Sequence, residues 1–187
     1  MNSSAPACQR LLQRRGSVAF TLIELLVTVS IIAVLVSIAI PATNRVIHSA
    51  RASQCMGHLR GIGNALQMYL TDNNNVMPTL VVARESKDGD EAAIDNTLSE
   101  YVQDRDAFRC PADNKHFFEK TGTSYVWNNL LNGQNTAGLS MMGIIKDGSR
   151  IPVVSDKENF HKYRDVEVNI LYADGHVSRE IQFVVDE

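Results

Sequence analysis

Apolar positions are spread very unevenly along this chain. Residues 20–40, FTLIELLVTVSIIAVLVSIAI, form a nearly unbroken apolar run in which Glu24 is the one ionisable side chain. About 20 apolar residues at 1.5 Å each match the roughly 30 Å hydrocarbon core of a bilayer, so the run predicts a membrane-spanning helix. Residues 41–70 continue it with an amphipathic period. Ile47, Arg51, Cys55, Leu59, Ile62, Leu66 and Tyr69 recur at steps of three or four, while Asn44, His48, Arg60 and Gln67 fall elsewhere. Pro41 lies between the halves and lacks a backbone donor, which predicts a bend or a local opening. Gly57, Gly61 and Gly63 each cost up to about 1 kcal/mol of helix propensity, so either close packing against them or a locally flexible helix is expected.

Beyond the helix the pattern breaks and then changes period. TDNNNVMP, residues 71–78, is a turn cluster that ends the helix. Residues 81–95 are charged and poorly patterned, and read as a surface loop with room for a short helix; Asn96 is placed to cap a helix running through Tyr101. Phe108 is expected in the core, and the run from Pro111 to Asn114 in a turn. Four segments then read as strands: 123–127, 150–155, 168–173 and 176–183. The last two predict a hairpin across Asp174-Gly175, a dipeptide suited to a type I′ turn. Val168, Ile170 and Tyr172 would face one way and Asn169 and Leu171 the other. The fold class expected is α+β: a long N-terminal helix, its first half transmembrane, packed on a small antiparallel sheet. The divisions are a leader (1–19), the apolar helix (20–40), its amphipathic continuation (41–70) and an α+β domain (71–187).

Charge sets the orientation and removes one class of partner. The chain has 187 residues with 18 Lys plus Arg against 21 Asp plus Glu. The leader holds Arg10, Arg14 and Arg15 and no acid, so the remainder carries 15 basic against 21 acidic side chains, a balance of −6. That disfavours a nucleic-acid partner. Three arginines before the span, against Arg45 and Arg51 soon after it, turn its amino end toward the cytoplasm. Of three cysteines, Cys8 lies before the apolar run. Cys55 and Cys110 could form a disulfide across 55 positions, worth about 3 to 4 kcal/mol on the chain-entropy model, or remain two small buried thiols.

Little else suggests chemistry. Asp72-x-Asn74 hints at calcium, without the glycine and distal glutamate of an EF-hand loop. His161, Asp174 and His176 are the one cluster near the hairpin, and Asp174 and His176 point apart more naturally than they converge, so no metal site is expected. No Gly-rich phosphate loop, G-x-S-x-G or H-E-x-x-H occurs. The expectation is no catalytic residue, no cofactor and no enzyme.

The series GSVAFTLIELLV, residues 16–27, resembles the start of type IV pilin and type II secretion pseudopilin precursors. The resemblance implies cleavage between Ala19 and Phe20 by a prepilin peptidase, which also N-methylates Phe20. It implies that Glu24, residue five of the processed chain, faces that amine on a neighbouring subunit, and that Pro41 kinks the helix. The family has glycine where this chain has Ala19; its own glycine is Gly16. The series ARASQC, HLRGIGNALQMYLTDNN, FRCPAD, TSYVWN and NILYADGHV is similar to pseudopilin-like proteins that carry a histidine, nine residues and then Asp-Gly; here twelve residues separate His161 from Asp174-Gly175. The two resemblances imply a pilin-like fold, an inner-membrane protein with a periplasmic domain, and assembly with other pilin-like subunits by secretion or pilus machinery.

Three other readings of residues 20–40 stay open: a plain signal anchor with Glu24 snorkelling to the interface, a secretory signal cut near Ala39, and a tether for a periplasmic binding or catalytic domain.

Overall fold

The computed structural model of the chain describes residues 20–161 and 168–179. The leader with Ala19, and residues 180–183 of the last expected strand, lie outside the described residues. The chain divides into two compact units, Met1–Pro41 and Ala42–Glu187.

Helix α1, Leu22–Asp72, is continuous through Pro41. The local opening expected there is not seen, because one missing donor removes a single bond from a ladder intact on both sides. In the first unit the helix buries nothing. Fourteen large apolar side chains between Phe20 and Ile40 are 46–81% exposed. This segment is long and apolar enough to span a membrane.

In the second unit α1 has a buried face of Ala52, Cys55, Leu59, Ile62, Gly63, Ala65, Leu66 and Leu70. The expected face agrees from Cys55 to Leu66. It fails at its start, where Ile47 and Arg51 are exposed because packing begins only at Ala52. Only one of the three glycines is closely approached: a Cβ on Gly63 would lie 3.0 Å from Leu171 Cδ1, whereas nothing stands within 4 Å of one on Gly57 or Gly61. Asn74 and Asn75 then take left-handed φ of 55° and 58°, and the helix ends in the expected turn cluster.

Residues 81–95 are not simply a surface loop. Arg84 and Asp95 are both buried and paired with each other, beside Gly122, whose φ of +87° and lack of a side chain leave them room. Helix α2 is only Ile94–Thr97. Asn96 is its third residue, not its cap, and reaches back so that its Oδ1 accepts the Ala93 N–H at 2.8 Å. Helix α3 is Phe117–Thr121. Phe108 is in the core, and Asp113 N–H to Cys110 O at 2.9 Å closes the Pro111 turn.

Strands β1 (Tyr125–Trp127), β2 (Pro152–Asp156), β3 (Ile170–Tyr172) and β4 (Val177–Ser178) form one four-stranded antiparallel sheet in sequence order. A bulge between Pro152 and Val154 interrupts the β2–β3 register. Strands β1, β2 and β3 are shorter than expected, and β3 is buried at every residue, so its alternation does not mark a solvent face. The hairpin turn is not type I′. Gly175 has φ +90° but Asp174 is not left-handed. Gly175 N–H donates to Tyr172 O and Tyr172 N–H to His176 O, both at 2.9 Å, the pattern of a three-residue loop with the glycine at a bulge. The molecule is therefore α+β: a long apolar amino-terminal helix whose second half packs on a small antiparallel sheet.

Candidate functional site

Two places gather the residues singled out by sequence. The first is the start of α1. Glu24 Oε2 accepts the Thr21 N–H at 2.9 Å and the Thr21 hydroxyl at 2.8 Å, while Thr21 Oγ1 faces the Glu24 N–H at 3.3 Å. This is a reciprocal capping box that satisfies donors left over at a helix start. Sequence reasoning missed it, although its signal, threonine three residues before glutamate, stands in the chain; the carboxylate's isolation drew the weight instead. Phe20 precedes the box and is exposed; Pro41 is inside the helix.

The second place is buried between α1 and the sheet. Cys55 on α1 and Cys110 before the Pro111 turn are bonded, with Cα atoms 5.1 Å apart, so the bond ties the helix to the segment that follows α2. Against them lie Asp156, at the end of β2, and His161. Asp156 Oδ1 is 3.5 Å from Cys55 Sγ, His161 Nε2 is 3.8 Å from Cys110 Sγ, and Nε2 is 3.0 Å from Asp156 Oδ2. One ligand-type atom from each of the four lies within 4.8 Å of the other three, and all four residues are buried.

Two further residues frame this cluster. Asn169 directs its backbone N–H to Asp156 Oδ2 at 2.7 Å and its Nδ2 to the same oxygen at 3.0 Å and to His161 Nε2 at 2.6 Å. The Tyr125 hydroxyl donates to Cys55 Sγ at 3.3 Å. Burial, with the Asp156 and Asp113 carboxylates adding to it, pushes the Tyr125 phenol well above its usual value, so it stays a donor.

His161, Asp174 and His176 do not form the triad of candidates considered from sequence. His161 belongs to the buried cluster. Asp174 and His176 converge instead of pointing apart: Asp174 Oδ1 accepts the His176 N–H at 3.0 Å and meets its Nδ1 at 2.5 Å, because the bulged turn folds His176 back. The ring of His176 stacks on Tyr172 at 4.5 Å. Both side chains stay partly exposed at the hairpin tip. Sequence reasoning gave no site role to Asp156 or to Asn169. The available signal was a carboxylate and an amide at the ends of apolar strands, where a buried polar group must have a partner.

No family model, curated protein or solved structure matches the chain.

Proposed function

We propose that the chain is a pilin-like subunit, processed before Phe20 and assembled through its apolar helix with other such subunits into a secretion pseudopilus or pilus-like filament. The observation that carries this reading is the first unit of α1. Its apolar residues cover no core of their own, and each large side chain kept from water gains about 1.5 to 3 kcal/mol, so the segment needs lipid or neighbouring helices around its whole circumference. Filament assembly supplies the second after the membrane has supplied the first. The resemblance of residues 16–27 to pilin precursors supports the same reading, as does the position of Glu24, where the freed amine of a neighbour would meet a carboxylate in a low dielectric. On this reading the amino end faces the cytoplasm and residues after the span lie in the periplasm. A prepilin peptidase acts on the chain, and no cofactor or catalytic residue is needed.

The capping box favours a second reading. It gives Glu24 a task inside a single chain, so a plain anchor carrying a periplasmic domain also has use for it. Glu24→Gln separates the two. Its amide can still cap Thr21, but it carries no charge for a neighbour's amine. In cells with an active prepilin peptidase, mass spectrometry should find a peptide beginning at methylated Phe20, and Glu24→Gln should insert normally yet lose cross-linked oligomers. An intact leader, or no cross-linked oligomers from the unaltered chain, would leave the helix as a tether, and full assembly by the variant would take the Glu24 charge out of the assembly contact.

A further inference from the structure

The hydrogens around Asp156 and His161 cannot be assigned without conflict. If His161 is neutral with its proton on Nδ1, Nε2 can accept from Asn169 Nδ2, but its lone pair then faces Asp156 Oδ2 at 3.0 Å, and the buried Nδ1–H has no partner among the described residues. If Nε2 carries the proton, it donates to Asp156, and its hydrogen meets the amide hydrogens of Asn169 at 2.6 Å. Turning the Asn169 amide over relieves that contact but sets an oxygen against Asp156 Oδ2. With the sulfurs joined, Cys55 has no proton to give Asp156 Oδ1 either. Electron-pair donors therefore converge in a buried pocket where the one ion-pair partner of Asp156 among the described residues is His161. A cation between them satisfies the facing electron pairs of Asp156 Oδ2 and His161 Nε2, with the His161 proton on Nδ1.

We propose that reduction of the Cys55–Cys110 bond turns this cluster into a tetrahedral site for a thiophilic divalent ion, with Zn2+ the best match. Its ligands are the two thiolates, a carboxylate oxygen of Asp156 and Nε2 of His161. Zinc bonds of about 2.0 to 2.3 Å place tetrahedral ligands roughly 3.4 to 3.8 Å apart. The Cys110–His161 and Cys55–Asp156 separations of 3.8 and 3.5 Å already fall in that range, and the His161–Asp156 contact at 3.0 Å is slightly inside it. The two sulfurs must part, and the other separations, all within 4.8 Å, adjust by up to about 1 Å to meet tetrahedral geometry. Soft thiolates with an imidazole select zinc over magnesium or calcium. The surroundings suit it: Asn169 holds Asp156 by two N–H groups, and the Tyr125 hydroxyl donates to Cys55.

The exchange balances. A dithiol reductant passes two electrons to the S–S bond through a mixed disulfide and leaves as its own disulfide. Cys110 borders a surface pocket of about 410 Å3 with Gln54, His58 and Arg109, which gives the reductant a way in. The two new thiols release their protons as Zn2+ binds, and the metal is not reduced. The charges added cancel: two thiolates bring −2 and Zn2+ brings +2. The disulfide and the metal are alternative ways of filling the same space. This site does not depend on the assembly reading.

The test uses the full chain in detergent, reduced with a dithiol, freed of it without air, and titrated with Co2+ and then Zn2+. One Co2+ per chain should appear with thiolate charge-transfer and tetrahedral d–d absorption, be displaced by one Zn2+, and be absent from the oxidised chain. His161→Gln and Asp156→Asn should each weaken Co2+ binding by at least about tenfold. Since either variant could unfold, the unmutated chain supplies a second readout, protection of both cysteines from iodoacetamide by one equivalent of Zn2+. A reduced chain that keeps its circular dichroism yet takes up no Co2+, or whose cysteines alkylate equally fast with zinc, would overturn the proposal. If reduction unfolds the chain, refolding on addition of Zn2+ supports it and failure to refold overturns it.

Discussion

At the scale of single residues, Asp113 shows how one carboxylate can organise a turn. It accepts the Ser124 hydroxyl at 2.7 Å, the Phe118 N–H at 3.1 Å and the Lys115 N–H at 3.1 Å, joining the Pro111 turn to the start of α3 and to the residue before β1. Burial pushes its carboxyl up, but the hydrogen bonds from Ser124, Phe118, Phe117 and Lys115 together outweigh that and hold it below its ordinary value of 3.8. The sign of the pH effect follows. A carboxyl whose folded value is depressed contributes stability that is fully present above its unfolded value and is lost as pH falls through the folded one. Asp113→Asn keeps the shape and removes the charge, so it should lower the melting temperature at pH 7 and lose that effect as the pH drops below about 3.8. Melting both proteins from pH 7 to pH 3 checks this; a gap that stays constant would mean the ionised form is not what the hydrogen bonds favour.

At the scale of the element, α1 contains three glycines that look alike in sequence and are not alike in space. Gly57 and Gly61 face open surroundings, so alanine there should gain the usual helix propensity, about 0.5 to 1 kcal/mol each, or roughly 2 to 4 °C per kcal/mol in a domain of this size. Gly63 differs. Its added methyl would press on Leu171 Cδ1 at 3.0 Å, and Leu171 is itself packed in the core and cannot withdraw freely. Gly63→Ala should therefore melt below the parent while Gly57→Ala and Gly61→Ala melt above it; three equal shifts would refute the contact between Gly63 and Leu171. The helix was legible because apolar spacing at three and four is a local signal: Cys55, Leu59, Ile62 and Leu66 are all in the core. What touches Gly63 was not, since Leu171 lies more than a hundred residues away and no local pattern records that pairing. The sheet was legible in outline for the same reason. Its short strands were not, because their ends depend on the bulge at Pro152–Val154 and on the three-residue loop at Asp174, both set by neighbouring chain. The buried cluster was least legible. Its members sit at positions 55, 110, 156 and 161, on separate elements, and only burial brings them together.

At the scale of the whole molecule, the two units answer to different solvents. Among the described residues, every buried hydrophobic side chain lies between Ala52 and Tyr172, the sheet runs from Tyr125 to Ser178, and no buried side chain comes from residues 20–41. The first unit instead presents large apolar side chains that no described residue covers. Stability and solubility should therefore separate cleanly. A chain beginning at Ala42 loses none of the described buried residues, and the stretch of α1 up to Arg51 is exposed apart from the half-buried His48, so the cost should be limited to fraying of those turns. That chain should be soluble without detergent, keep the Cys55–Cys110 bond under air, and melt cooperatively within a few degrees of the full chain in detergent, whereas the full chain without detergent should associate. Thermal circular dichroism and size-exclusion chromatography of both would decide it. If the shortened chain aggregates or melts far lower, then residues before Ala42 support the folded domain directly, and the apolar helix is part of its core instead of a surface waiting for lipid or for other helices.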